Sequence, residues 1–448
     1  MKKNKELLNL LFISFCALIV SYLVILTPSK FSLSVNDLPL HYIHYSKSFH
    51  TVFKKSFKPL KIIAVGIDRY TLEKIPYRFP FPRFVYGELV KTLNQEKVNT
   101  IGFDLVFEGA SSEPEDDAVF SRALKNSTSS KVVLAFILGS GIGKELYILP
   151  QPEFQQSSYA LGFIDNQKDL DQRSRRINAI ISSESNEQLR YSLAVQLAAS
   201  YLNKPASQVV GSMPMLKKNI LPVGMSNITV KNFLINYVAN LEDKDIVTNV
   251  SFYDLYANMD GLKNKFGRDF LRDSLVLIYP EAEILHDTVV TPLGKLPGGF
   301  LHINGLFNII SGKFILDAPL LTLFFLGAAL AVILISLRYV GFLSGLFIVG
   351  GVLLITFWAA VAVWLKGIAL NLAQVALFSI LFFVAGNIYK YVLALMQLEQ
   401  IKNKVALDPL RNLYTLHYFY YYFDLSARKF YPGKELYLFF IYMESLKA

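Results

Sequence analysis

The chain has 448 residues, of which 53% are hydrophobic and 18% charged, with a mean hydropathy of +0.36. That balance excludes an ordinary water-soluble protein, and it excludes disorder too, which needs few apolar residues and many charges. The formal charge of +10, from 45 Lys and Arg against 35 Asp and Glu, would suggest a nucleic-acid partner in a soluble domain, but in so apolar a chain basic residues are read first as topology signals.

Lys2, Lys3 and Lys5 precede an apolar run over residues 7–26, about 20 residues and so about 30 Å of helix, enough to cross a bilayer once. Residues 21–26 offer no small-x-small cleavage site, so the run reads as an uncleaved anchor. Cys16 follows Phe15, which excludes a lipid-modification site, and as the one cysteine it excludes an intramolecular disulfide and a cysteine-ligated zinc.

Strand-like and helix-like segments alternate in the next block. Residues 61–67 predict a strand buried on both faces, 84–96 a helix with Leu89, Val90 and Leu93 on one side, 100–107 a second strand, 117–125 a helix and 131–138 a third strand. A helix is predicted over 189–201, with strands near 233–237 and 274–279. The alternation implies a mostly parallel sheet with right-handed crossovers. Ligands of such sheets sit beyond the carboxyl ends of the strands, which makes Asp68, Arg83 and Asp104 the ligand-binding candidates. The structural alternative has Asp68 capping a turn and Asp104 pairing with Arg83 or a backbone amide, with nothing bound.

Phe79-Pro80-Phe81-Pro82-Arg83, after Asp68 and before Gly102-Phe103-Asp104-Leu105-Val106-Phe107, resembles the CHASE2 domain, an extracytoplasmic sensor module of bacterial signalling receptors. The shared pattern is an Asp after the first strand, a Pro-x-Pro-Arg segment and an apolar-Phe-Asp-x-x-Phe strand. Glu115-Asp116-Asp117, Leu161-Gly162-Phe163-Ile164-Asp165 with Asp171 and Arg176, Ile235-Asn236-Tyr237, Ser251-Phe252, Asp287 with Thr291-Pro292-Leu293, and Pro297-Gly298 before Asn304 continue the series over residues 40 to 317. Two departures are that Phe79 or Phe81 replaces the usual Trp, and that Gln172-Arg173 follows Asp171 where Asp-Gly is usual. The resemblance implies a sensor for an external cue.

Other motifs point to structure. Gly139-Ser140-Gly141-Ile142-Gly143-Lys144 fails both Walker and dinucleotide spacing and reads as a hairpin turn. Glu113-Pro114-Glu115-Asp116-Asp117 reads as a helix start rather than a cation chelate. His41, His44 and His50 lack a placed carboxylate and read as a solvated juxtamembrane segment rather than a metal site. With no Gly-x-Ser-x-Gly elbow either, neither catalytic residues, nor a cofactor, nor a metal is expected.

Three further apolar runs, 318–337, 340–365 and 368–389, predict three spans joined by Arg338-Tyr339 and Lys366-Gly367. With Lys2, Lys3 and Lys5 inside, four crossings return the chain to the cytoplasm at Lys390, where Lys402, Lys404 and Arg411 follow, and only Lys366 lands outside. Both termini are then cytoplasmic and residues 28–317 extracytoplasmic, which removes the nucleic-acid reading. The absence of charge within the spans argues against a pump, and Asn371, Gln374 and Asn387 are expected to hydrogen-bond between helices.

Beyond the last span, Tyr391, Ala394, Leu398, Ile401 and Val405 keep a heptad seam, read either as a short signalling helix that pairs with a second copy or as a continuous exit helix. Residues 406–419 resemble the opening of a GGDEF (diguanylate cyclase) domain through Asp408, Leu410, Leu413 and Phe419. Tyr442 stands where that family places a metal-binding Asp, and the sequence stops before the signature loop, so catalysis is not expected.

The expected architecture is a membrane protein with an α/β extracytoplasmic sensor domain inserted between one N-terminal and three C-terminal transmembrane helices. Its segments are an anchor (1–27), the sensor (28–317), three spans (318–389), a signalling helix (390–405) and a degenerate GGDEF-like segment (406–448). It is expected in a bacterial inner membrane, with the lipid bilayer, an unknown small-molecule or protein cue, a second copy and a cytoplasmic output protein as partners. The alternatives are a diguanylate cyclase receptor with a truncated or degenerate output domain, and a membrane scaffold that senses nothing.

Overall fold

The computed structural model describes residues 30–55, 60–139, 147–183, 186–214, 217–223, 226–238 and 246–406, with isolated positions at 12, 15, 19, 418–420 and 423. Most of the predicted anchor, the 140–146 turn and most of the GGDEF-like segment lie outside the described residues. Internal packing divides the chain into two units, one of Val20–Ala329 with Gly350–Phe378, the other of Met1–Ile19, Leu330–Val349 and Ser379–Ala448.

The larger unit opens with helices α1 (Lys30–Asn36), α2 (Leu38–Tyr45) and α3 (Lys47–Lys55). Strand β1 (Ile62–Ile67) leads into α4 (Arg69–Lys74) and α5 (Arg83–Gln95), then β2 (Thr100–Phe103), α6 (Pro114–Lys125), β3 (Lys131–Leu138), β4 (Tyr147–Ile148), α7 (Pro152–Ser157) and β5 (Ala160–Phe163). Next come β6 (Arg176–Ser183), β7 (Asn186–Tyr191), α8 (Leu193–Leu202), α9 (Ala206–Gly211), β8 (Lys217–Val223) and β9 (Ser226–Leu234). The unit continues through β10 (Thr248–Ser251), α10 (Phe252–Ala257), α11 (Met259–Phe266), β11 (Leu275–Pro280), the hairpin β12 (Thr288–Thr291) and β13 (Gly294–Pro297), and α12 (Gly298–Ser311).

The main sheet runs β10-β1-β11-β2-β3, with β5 and β4 both on the far side of β3. Every pairing in it is parallel except that of β4 with β3. Alternate residues face opposite layers, as a period of two requires. Ile62, Ala64, Leu275, Leu277 and Tyr279 pack with α8 and α12, whereas Ile63, Val65, Ile67, Ile101, Phe103, Val276 and Ile278 pack with α5, α6 and α10. Being covered on both faces is why these strands read as unbroken apolar runs.

Several expectations need correction. Residues 186–191 form β7 of a second, antiparallel sheet ordered β7-β6-β9-β8, and the helix begins only at Leu193 because the Ser192 side chain accepts from the Val195 N–H at 3.3 Å and caps it. The strand expected at 233–237 ends at Leu234, beyond which Asn304 and Asn308 of α12 replace a strand partner, accepting the N–H groups of Val238 and Asn236 at 2.7 and 2.8 Å. The second strand stops at Phe103, the last residue in register with β11.

Among the described residues three helices are long and apolar enough to cross a membrane: α13 (Pro319–Tyr339), α14 (Phe342–Trp364) and α15 (Leu372–Ala406), the last over Leu372–Gln400. Before α15, Ile368–Ala369 pairs with Leu316–Asp317, so that span starts later than expected, and it continues unbroken through 390–405, making the exit helix continuous. In the larger unit Asn371 accepts from Asn36 Nδ2 at 3.3 Å, a link between helical segments as expected. Asn387 instead donates to the Phe383 carbonyl of its own helix at 2.8 Å, which satisfies it without a neighbour. In the smaller unit Lys390 Nζ donates to the Leu337 carbonyl at 2.6 Å, and Phe342 stacks on Phe383 at 5.8 Å.

Candidate ligand-binding site

All the parallel strands of the main sheet end at one edge, and the chain leaves that edge at Asp68 after β1, Asp104 after β2 and Glu281 after β11. Strand β11 lies between β1 and β2, so the ends of these three strands are neighbours along that edge. A cavity of about 360 Å³ occupies this edge, lined by Phe79, Phe81, Tyr86 and Phe107 on its aromatic wall, with Arg83, Asp104, Glu108 and Asp287 as its charged groups.

Asp104 is held by its backbone, whose N–H donates to the Ile278 carbonyl at 2.8 Å, and the residue is only 6% exposed. Among the described residues no donor reaches its carboxylate within hydrogen-bond distance, and the nearest basic atom is Nε2 of His302, on α12, at 3.9 Å. Asp287 lies between β11 and β12, and its carboxylate is packed against the first residue of α12, where a Cβ on Gly298 would come within 2.5 Å of Oδ1. A larger residue at Gly298 would have to push the Asp287 carboxylate aside.

Burial without hydrogen bonds raises both acids. Asp104 is pushed up to about 7 by desolvation, and Asp287 to about 6 by desolvation and then by the charge of Asp104. Burial holds His302 down to about 4, against the smaller opposing pull of Asp287, so its imidazole is neutral near pH 7. The His302 Nδ1 atom is buried with no hydrogen-bond partner among the described residues.

These values set a pH prediction. Asp104 binds its proton up to about pH 7 when folded but only to about 3.8 in its ordinary state, so stability is lost as pH rises through that interval, and Asp287 acts alike up to about 6. His302 works the other way, adding stability between about 4 and its ordinary 6.5. Above about pH 6.5 the Asp104 contribution stands alone among the three, so the unfolding midpoint should fall between about pH 6.5 and 7.5, and Asp104→Asn should flatten that fall and raise the midpoint at about pH 8. Thermal melts of the two proteins across that range check it, and a fall of equal slope in both would count against the assignment.

The other two sequence candidates sit at the same edge with different duties. Asp68 caps α4, accepting from the Thr71 N–H at 2.8 Å and the Thr71 hydroxyl at 2.6 Å, and it also accepts from Ser251 Oγ at 3.0 Å. Arg83 lines the cavity, yet Nη1 donates to Asp117 Oδ1 at 2.6 Å and Gln151 Oε1 at 2.9 Å, while Nη2 donates to the Glu108 and Gly109 carbonyls at 2.9 and 2.7 Å. Its guanidinium also lies 5.0 Å from the Phe154 ring centroid. Arg83 does not pair with Asp104, so the structural alternative holds for Asp68 and fails for Asp104.

Two site residues escaped sequence reasoning. His302 is one of three buried polar positions, with Asn304 and Asn308, in a mostly apolar helix, and Asp287 was visible only as part of a motif; their shared facing of Asp104 depends on the α12 packing that no local pattern encodes. Glu281, beside the apolar β11 run, takes a hydrogen bond from Tyr279 OH at 2.9 Å and is raised by burial despite that bond, with Asp68 adding to the rise. Among the described residues no group of three His, Cys, Asp or Glu side chains converges to hold a metal ion.

Comparison with curated proteins and with solved structures returned no match. The CHASE2 domain profile matches residues 15–342, well over half of the chain, and the order of Asp68, Pro82-Arg83 and Asp104 along the sheet edge is the pattern on which the sequence resemblance rested. CHASE2 is a family of extracytoplasmic sensor domains, and the chain belongs to it.

Proposed function

We propose that the protein is a membrane-bound sensor whose extracytoplasmic CHASE2 domain receives a small-molecule cue in the cavity at the sheet edge and relays it through the long C-terminal helices. The observation that carries this reading is a buried carboxylate, Asp104, beside a half-buried one, Asp287, both without hydrogen-bond donors among the described residues, in a ligand-sized cavity, a combination that adds nothing to fold stability and suits recognition. The positive-inside distribution of Lys2, Lys3, Lys5, Lys390, Lys402 and Lys404 supports cytoplasmic termini in a bacterial inner membrane. The seam of Tyr391, Ala394, Leu398, Ile401 and Val405 supports pairing of two copies, and Tyr442 in place of a metal-binding Asp supports output through a cytoplasmic protein rather than catalysis by residues 406–448.

The test uses Cys16→Ser with Leu398→Cys in native membranes, reading disulfide cross-linking between copies. Adding small-molecule extract from the organism's surroundings should change the cross-linked fraction, and the cavity-filling Val106→Trp should abolish the response. A fraction indifferent to both would favour the scaffold.

A further inference from the structure

Buried carboxylates normally have hydrogen-bond donors or a cation beside them, because an ionised group taken out of water without either is strongly disfavoured. Among the described residues, buried Asp104 and half-buried Asp287 find neither. The groups that face them are accounted for from each side: His302 on α12 is held neutral, Arg83 on α5 is saturated by Asp117, Gln151 and two carbonyls, and the Glu108 carboxylate adds negative charge. Tyr86 on α5, its hydroxyl raised by burial, brings no positive charge. Among the described residues the site therefore offers the two carboxylates no unpaired cation.

The rest of the lining says which kind of cation is missing. Aromatic faces from Phe79, Phe81, Tyr86 and Phe107 wall the cavity, and Phe79 meets Phe81 edge-on at 5.5 Å while Tyr86 meets Phe107 edge-on at 5.2 Å. Rings around a carboxylate pair favour a cation that carries hydrocarbon, through cation–π attraction and apolar contact. A bare metal ion would want three or more oxygen or nitrogen donors, and among the described residues no such group converges. A volume of about 360 Å³ admits a small organic ion.

We propose that this cavity binds a small organic ammonium ion, its charged head between Asp104 and Asp287 and its hydrocarbon against Phe79, Phe81, Tyr86 and Phe107. The proposal rests on reading the cavity as the cue site and names the class of cue. Because the empty site holds protons that the ammonium displaces, binding strengthens as pH rises from about 6 to about 8 and releases protons to the buffer.

The full chain, purified in a maltoside detergent without quaternary ammonium groups, is titrated with choline, tetramethylammonium and putrescine, reading the melting midpoint and the calorimetric heat in two buffers of different ionisation enthalpy. At least one ion should raise the midpoint and release protons, Asp104→Asn should weaken it by about tenfold or more, and Phe79→Leu should weaken it by several-fold. Asp104→Asn is expected to fold, and its melt confirms that before titration. An Asp104-dependent response to Mg²⁺, Ca²⁺ or Zn²⁺ alone would overturn the ammonium assignment. So would an Asp104-dependent response to an uncharged or anionic compound alone, though either result would leave the cavity as the cue site. No response to any of the ions, or one that Asp104→Asn and Asp287→Asn both leave intact, overturns the proposal; a cross-linking signal that Val106→Trp also leaves intact removes the cavity reading beneath it.

Discussion

Arg175→Met is expected to lower the stability of the larger unit by about 3–5 kcal/mol, read as a large drop in its melting midpoint. Arg175 is 8% exposed and holds three carboxylates at once. Its Nε and Nη2 form a two-pronged pair with Asp37 at 3.0 and 2.7 Å, Nη1 donates to Asp169 at 2.8 Å, and Nη1 and Nη2 donate to the two Asp171 oxygens at 2.8 and 2.6 Å. Burial would lower the Arg175 pKa, but the bonds from Asp171 and Asp37 outweigh it and raise it. Asp171, in turn, is held low because Arg175 outweighs its own partial burial. Methionine fills similar space yet strands the carboxylates, leaving Asp37 only the longer 3.3 Å bond from Arg173. Arg175→Lys should recover only part of the loss, because an ammonium cannot reproduce the planar fork. A melt unchanged by either substitution would contradict this account.

The same junction supports the proposed relay. Asp37 is next to Asn36, whose Oδ1 accepts the Ala373 N–H at 2.9 Å in the first turn of α15 and whose Nδ2 donates to Asn371. One dipeptide thus ties the segment containing Asp169, Asp171 and Arg175 to the start of α15. A cue that moves that segment would act on the start of α15 through two adjacent side chains.

What the sequence made legible follows from local physics. Residues 61–67, 131–138 and 274–279 are apolar after their first residue, and each range lies within one residue of a buried strand because double coverage leaves no polar face. The helix start at Pro114 was readable from Pro and acids in the first turn. The antiparallel sheet was not, since β6 and β9 carry polar residues such as Asn178 and Asn232 at buried positions, and β7 was absorbed into the helix that follows it. At the site, Asp104 was singled out as a carboxylate within the predicted second strand, and the structure ends that strand at Phe103, just before it. Its neighbours were not, because Asp287 and His302 lie far from it in sequence and meet it only once α12 has docked on Tyr279, where Gly299 leaves no room even for a Cβ, 2.4 Å from the ring.

Arg83→Met carries the second large effect and separates two roles for a residue that lines the cavity without facing it electrically. Asp117 is 4% exposed and draws on Arg83 at 2.6 Å and the Ser111 N–H at 2.9 Å, so removing the guanidinium leaves a buried carboxylate with one donor and frees the Glu108 and Gly109 carbonyls. The expected loss is about 3–5 kcal/mol. Asp117→Asn keeps a polar partner of the same shape and should lose about 1–3 kcal/mol. The double variant Arg83→Met with Asp117→Leu replaces the whole pair by apolar side chains, and it should be more stable than Arg83→Met alone, because no charge is then left stranded. If Arg83 served chiefly to hold an anionic cue, the single substitution would leave the melting midpoint nearly unchanged and the second would rescue nothing. Rescue in the melt would instead make Arg83 a strut: it fixes the 108–111 loop beside the cavity mouth and leaves the carboxylates of Asp104 and Asp287 to choose the charge of what enters.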